Sequence, residues 1–484
     1  MNRNQQNELT GGYPYVRKSK ENPEKIGLAA AIISLAVLSL IFCGGFTFLK
    51  FNTQAIFFVG AIATGVVALL HGYSLKDVED YFLDGCRGAV MPAMILMVVG
   101  AVIGSWIVSG IVPTIIYYGL GFLTPSTFLV AGFAMCCLIS FFTGSSYTAI
   151  STIGIALLGI GMGLEVNPAI TAGMIISGSL FGDKMSPFSD STNMAAAAAG
   201  TDVFDHVYSM LWTTIPAVII SAILYFIIGL KHAGNVMDMT AIDNIRNTIA
   251  ANFNITPIVL IIPILTIFMT IKKVPPIMAL TISAIAGIAF AFIFQPQFTF
   301  KTIMDSLGSG FSINTEIADV NKLLSRGGMM NMMGAVCLTF LVLGMGQILQ
   351  RIGVMDAVLG KLAAAVNTPR ALVITTLAAC LLTTMVCASQ YVAIVLPGQV
   401  MQPAYTRLGV KKRVLSRTLE DGGTIFCFLL PWTTSGVYVP GVLGVPVLSY
   451  APYAFFCLAC PILCVVYAIT GFAIFKEEKP AVTE

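Results

Sequence analysis

Between Gly88 and Gly182 the sequence carries one charged side chain, Glu165. A soluble domain draws on about 25% charged residues, so a stretch this long and this bare cannot be folded against water. It breaks into apolar runs near the ~20 residues that a bilayer-spanning helix needs. Runs of the same kind recur on both sides of it, the clearest at residues 26–49, 54–70, 203–230, 275–294, 329–349 and 445–470. With 57% hydrophobic and 10% charged residues among 484, the chain reads as an all-α polytopic membrane protein with roughly 12–14 membrane segments. The net charge of +3 reports topology rather than a partner such as nucleic acid. The polar stretch 1–25 lacks the small-residue cleavage site of a signal peptide.

The apolar stretch ends abruptly at "GDKMSPFSDSTN", residues 182–193. Within it lie Asp183, Lys184 and Asp190, with Ser186, Ser189, Ser191, Thr192 and Asn193 around Pro187. Proline removes a backbone donor and clashes with the preceding turn, so a helix reaching this point is interrupted. Unwound backbone at membrane depth occurs only where it is buried in protein or lines a cavity. Carboxylates there mark function by default, and carboxylate, hydroxyl and carbonyl oxygens suit a small hard cation. Asp183 and Asp190 are therefore the candidate Na⁺ ligands. A group that holds a proton or a sodium ion, but not both, turns competition into exchange. The plainer alternative makes Asp183–Lys184 an interfacial ion pair and Asp190 a helix N-cap.

The two halves of the chain resemble each other. "GSSYTAI" at 144–150 matches "ASQYVAI" at 388–394, and "PFSDS" at 187–191 matches "PWTTS" at 431–435. Thr124-Pro125 pairs with Thr368-Pro369 and Gly178 with Gly422, all at a common offset of 244. Asp421 then falls opposite Ser177, so the two halves are not chemically equivalent. Asp421, Thr433 and Thr434, with Glu420 and Ser435, are the mirror candidates, although the adjacent basic segment offers Asp421 a simple salt-bridge partner. A second pair of breaks, "TGSSYT" and "CASQY", places Ser145 and Ser146 at a hairpin tip aimed at the first pair. Small residues easing helix packing is the plainer reading.

Charge orients the repeats. The linker before Pro431 carries Arg407, Lys411, Lys412, Arg413 and Arg417, whereas its counterpart at 163–173 has only Glu165. Basic loops stay cytoplasmic, so equivalent linkers lie on opposite faces. This predicts two inverted-topology repeats with discontinuous helices, an architecture of secondary transporters. The boundaries are a cytoplasmic N-terminal tail 1–25, a first repeat 26–230, an extracytoplasmic connection 231–254, a second repeat 255–470 and a cytoplasmic tail 471–484.

His71, His206 and His232 lack metal-ligand spacing, and His206, beside Asp202 and Asp205, reads as an interfacial residue rather than as a proton relay. The 11 cysteines read as small buried hydrophobes. Metalloprotease, serine-hydrolase and P-loop motifs are missing, so no enzyme and no cofactor is expected.

"FGDKMSPFSDSTNMA" followed by "GTDVFDHVYSMLWTTIPA", together with "HGYSLKDVEDYFLDG" and "GSWIVSGIVPTIIYYG", resembles the NhaC family of bacterial sodium/proton antiporters. The resemblance implies a multi-pass inner-membrane protein that exchanges Na⁺ for H⁺, with Asp183, Ser186, Ser189, Asp190, Thr192 and Asn193 on the family signature. The sequence departs from the family pattern at the alanine run of residues 194–200. The family also includes a malate–proton/sodium–lactate exchanger. An organic anion held by Lys184 and half-helix N-termini is therefore the alternative substrate, and a channel or non-transporting scaffold the third reading. A homodimer is common among such exchangers.

Overall fold

The computed structural model describes residues 26–45, 51–233 and 239–476. The expected N-terminal tail, and the C-terminal tail beyond residue 476, lie outside them. The described chain is helical apart from its connections and one bridge between Val410 and Lys476. Among the described residues, eight helices are long and apolar enough to cross a membrane, ten if each of two bent pairs counts as one span. Two shorter apolar helices, Leu28–Phe42 and Ile111–Phe122, add to these. The polarity runs opposite to that of a soluble domain. Along Val203–Ala233, Ile219, Ile223 and Phe226 are exposed, while His206, Ser209, Thr213, Thr214 and Ser221 are buried. An outward apolar surface is stable only against lipid.

The chain divides into two compact units. The smaller comprises the described residues up to 90, with 340–360. Within it, an added Cβ at Gly85 would stand 2.3 Å from the Leu343 carbonyl oxygen, and Asp84 pairs with Arg87 and, at 3.1 Å, with Arg351. The larger, the described residues of 91–339 and 361–476, holds the polar breaks.

The repeat is visible in the helix ends. Thr124 and Thr368 are the N-caps of Pro125–Thr143 and Pro369–Cys387. Both helices end in the left-handed conformation, at Gly144 (φ 67°) and Ala388 (φ 53°). Ser189 and Thr433 each precede a ten-residue half-helix, Asp190–Ala199 and Thr434–Leu443, closed by Gly200 and Gly444 at φ 69° and 70°. Gly178 lets its helix approach Cys136 where Gly422 approaches Cys380; an added Cβ would stand 2.6 and 2.7 Å from those side chains. Each of these pairs is separated by 244 residues.

Packing between the repeats is reciprocal. The first half-helix lies on Gln390–Arg407, with Gly398 against Ala198; the second lies on the 150–163 segment, with Gly154 near Leu443. Reciprocity of this kind follows from a two-fold relation.

The repeats part where their sequences do. Val203–Ala233 runs 31 residues unbroken, whereas its counterpart is bent by 62° between Val447–Tyr453 and Phe455–Thr470. Pro168–Met185 is one α-helix, but its counterpart passes from Lys412–Leu419 into a π-helical turn, Glu420–Thr424. Within the expected connection, 231–254, the described residues hold the end of Val203–Ala233 and all of Met239–Asn252.

Candidate functional site

The site begins with a close helix crossing. An added Cβ at Gly182 would stand 2.1 Å from the Phe141 nitrogen. Ser140 Oγ accepts from Gly182 N at 3.0 Å and donates to the Gly178 carbonyl at 3.1 Å. The crossing is pinned by both shape and hydrogen bonds, and Asp183 follows immediately.

The helix then stops at Ser186, whose backbone is extended. Its hydroxyl accepts from Phe188 N at 3.3 Å. Thr192 Oγ1 lies 2.9 Å from the Asp183 carbonyl and 3.2 Å from that of Lys184, serving carbonyls that a helix end leaves without partners. Asn193 Nδ2 donates to the carbonyls of Pro187 and Ser189 at 2.9 and 2.7 Å. Ser186, Thr192 and Asn193 therefore hold the break in shape. Ser145 does the same at the hairpin tip, capping Thr148 N. The expected meeting of tip and break is present: an added Cβ at Gly144 would lie 2.9 Å from the Phe188 carbonyl carbon. At the second break Thr434 N donates to the Ala388 carbonyl at 2.9 Å. Thr433 Oγ1 accepts from Gly436 N at 3.0 Å and is also bonded to the Cys427 carbonyl. Thr433 and Thr434 are thus braces too.

Three side chains from the first break and its tip converge on Asp183, which is buried. Ser146 Oγ donates to Oδ2 at 2.6 Å and Ser189 Oγ to Oδ1 at 2.6 Å. Ser191 Oγ lies 3.1 Å from Ser189 Oγ and donates at 2.7 Å to Glu420 Oε1. A line of hydroxyls thus joins a carboxylate of one repeat to a carboxylate of the other. Beside it, Lys184 Nζ is ion-paired with Asp421, and Thr213 Oγ1 touches both, at 3.1 and 3.2 Å. Lys184, Glu420 and Asp421 are fully buried. The π-helical turn is why two successive acids both face inward: it widens one turn at Glu420–Thr424, and such turns recur at functional sites. Among the described residues, no donor of hydrogen-bond geometry meets Glu420 Oε2 or Asp421 Oδ2.

Several expectations are corrected. Asp190 does not stand beside Asp183 in the buried cluster: it is exposed, the first residue of the half-helix Asp190–Ala199, and Ser189 rather than Asp190 is the N-cap. A carboxylate there is favoured by the helix N-terminus without entering the interior. Lys184 pairs with Asp421 rather than with its neighbour Asp183, and Asp421 is not neutralised by the adjacent basic segment. His206 lies near a helix end, as expected beside Asp202 and Asp205, but its ring is buried in the protein, with Nδ1 2.8 Å from Ser416 Oγ. Glu420, only a secondary candidate in the sequence, is central. Its signal in the sequence is the adjacency of two acids directly before the short apolar run that leads to the Pro431 break. Among the described residues, no three of His, Cys, Asp and Glu converge as a metal centre.

Two repeats interrupted at proline breaks, with buried acids where the breaks meet, define a membrane protein of the secondary-transporter class. The profile of the Na⁺/H⁺ antiporter family matches residues 20–208 and 178–472. Relatives include the Na(+)/H(+) antiporter NhaC of Alkalihalophilus pseudofirmus, 36% identical over 86% of this chain and 90% of that protein. The malate-2H(+)/Na(+)-lactate antiporter of Bacillus subtilis is 34% identical over 93% and 96%. The arginine/ornithine antiporter ArcD of Halobacterium salinarum is 31% identical over 95% and 96%. The chain belongs to the Na⁺/H⁺ antiporter family.

Proposed function

We propose that this protein is a secondary active transporter that exchanges Na⁺ for H⁺ across the bacterial inner membrane by alternating access. The basic 407–417 segment and both chain ends would lie on the cytoplasmic face, and the repeats would be inverted. The observation that carries the reading is the buried charge balance. Asp183, Glu420 and Asp421 face a single ammonium, that of Lys184. Fully ionised, the cluster would hold two buried carboxylates, Asp183 and Glu420, with no ion-pair partner among the described residues, since the buried Arg417 one turn away pairs with neither, and burial makes such a state costly. It is relieved by a bound cation or by protons, and by either at the expense of the other. Asp183, Glu420 and the hydroxyls of Ser146, Ser189 and Ser191 offer the hard oxygens that Na⁺ favours.

The organic-anion alternative finds less support in this cluster. Its ion-paired cation, Lys184, is already committed to Asp421, and an added carboxylate would meet Asp183 and Glu420, which have no ion-pair partner among the described residues.

The test is a proteoliposome assay with an imposed ΔpH and a pH-sensitive dye. Addition of Na⁺ alone should collapse the gradient, and Asp183→Asn and Glu420→Gln should each abolish the response while the purified proteins remain folded. A strict requirement for malate or lactate would reject the reading.

A further inference from the structure

His206 is a buried titratable side chain that the exchange cycle outlined above leaves unused. It is the fourth residue of Val203–Ala233, so at 1.5 Å per residue it lies about 4.5 Å below the helix start. That end carries the exposed Asp202 and Asp205, and Arg413 of the basic segment pairs with Asp205 at 3.7 Å. One imidazole nitrogen is anchored: Nδ1 lies 2.8 Å from Ser416 Oγ. The other, Nε2, is buried without a hydrogen-bond partner among the described residues.

The face of the helix below His206 is polar where lipid-facing positions are not. Ser209 stands one turn on, and its hydroxyl is likewise buried without a partner. Thr213 stands a further turn on, about 10 Å along the axis from His206, and contacts both Lys184 Nζ and Asp421 Oδ1. The column ends at Asp421 Oδ2, a buried carboxylate oxygen that no donor meets. The charged groups that neighbouring elements turn toward it are Lys184, Arg413, Arg417, Glu420 and Asp421. Unsatisfied buried polar atoms call for an explanation, and here three lie in sequence between a surface and an ion pair.

We propose that His206, Ser209 and Thr213 form the proton path between the face bearing the basic segment and the Lys184–Asp421 pair. The proposal rests on the Na⁺/H⁺ exchange reading. A proton taken up on Nε2 of the neutral ring passes through Ser209, Thr213 and water between them to Asp421 Oδ2. There it neutralises the carboxylate and frees the Lys184 ammonium to compensate Asp183 and Glu420, where it competes with Na⁺. Run backwards, the same steps release the proton. His206 touches neither ion site, so it acts as a relay rather than as a ligand.

The test compares two fluxes in proteoliposomes of the full chain: Na⁺-driven proton movement, and exchange of ²²Na⁺ for Na⁺ at equal pH, which needs no proton transfer. His206→Gln keeps a hydrogen-bonding group near Ser416 but cannot carry a proton; His206→Ala removes both. The path predicts that both variants lose ten-fold or more of proton-coupled flux, within the roughly 10²-fold that a positioned proton-transfer group supplies. Sodium self-exchange should stay near the wild-type rate, and added imidazole should restore proton flux in His206→Ala. A parallel fall of both fluxes in both variants, or unchanged proton flux in either, overturns the path alone. Absence of Na⁺-driven proton flux in the wild type overturns the exchange reading and the path with it.

Discussion

Lys184 and Asp421 form a fully buried ion pair that joins the first repeat to the second. Removing one member of such a pair strands the other charge, at a cost of about 3–5 kcal/mol, whereas replacing both by apolar residues is often neutral or stabilising. Lys184→Met and Asp421→Leu should therefore each lower the Tm of the detergent-solubilised protein. The double variant should recover most of that loss and still fail to exchange ions. A double variant no more stable than the singles would show that the pair does not act as a unit.

Asp190 and Asp183 sit seven residues apart in one polar motif but differ in surroundings: one is exposed, the other buried beneath two hydroxyls. Asp190→Asn should retain Na⁺-dependent proton flux within a few-fold of wild type, because only a surface charge near a helix N-terminus is lost, worth about 0.3–1 kcal/mol. Loss of flux equal to that in Asp183→Asn would return Asp190 to the ion site.

Gly182 places Asp183 through its contact with Ser140. An added methyl would meet the backbone of Phe141 at 2.1 Å, and backbone cannot yield as a flexible side chain can. Overpacking of this kind costs about 1–3 kcal/mol or more. Gly182→Ala should lower Tm and exchange together. Gly360→Ala, a helical position where an added Cβ meets nothing within 4 Å, is the control and should lower neither.

The sequence made the repeat and the positions of the breaks readable because both are local signals at a fixed spacing. Thr124-Pro125 and Thr368-Pro369 are caps, and Pro187 and Pro431 mark breaks, whatever lies around them. Partner choice was not readable in the same way. Lys184 adjoins Asp183 in the chain but pairs with Asp421, 237 residues away, because the crossing of two helices decides which charges meet. The inward turn of Glu420 depends on a π-helical widening that composition does not announce. The burial of His206 and the exposure of Asp190 share a reason: each stands near a helix end, where one residue of rotation separates interior from surface.

Ser191 links the two carboxylates that the proposed exchange requires, yet its hydroxyl has one proton to give. At 2.7 Å from Glu420 Oε1 and 3.4 Å from Asp183 Oδ1, that proton belongs to Glu420. Hydrogen bonds to charged groups contribute about 1.5–3 kcal/mol, equivalent to roughly a ten- to hundred-fold change in an equilibrium constant. Ser191→Ala should raise the apparent KM for Na⁺ by that order, since it removes both a ligand oxygen and the donor that positions Glu420. Ser191→Thr, which keeps the hydroxyl, should come closer to wild type in the same dye assay. Because Ser189 retains its own 2.6 Å bond to Asp183, the loss in Ser191→Ala should fall short of abolition. An unchanged KM would mean that Glu420 does not share the cation with Asp183, and the sodium site would then lie within the first repeat alone.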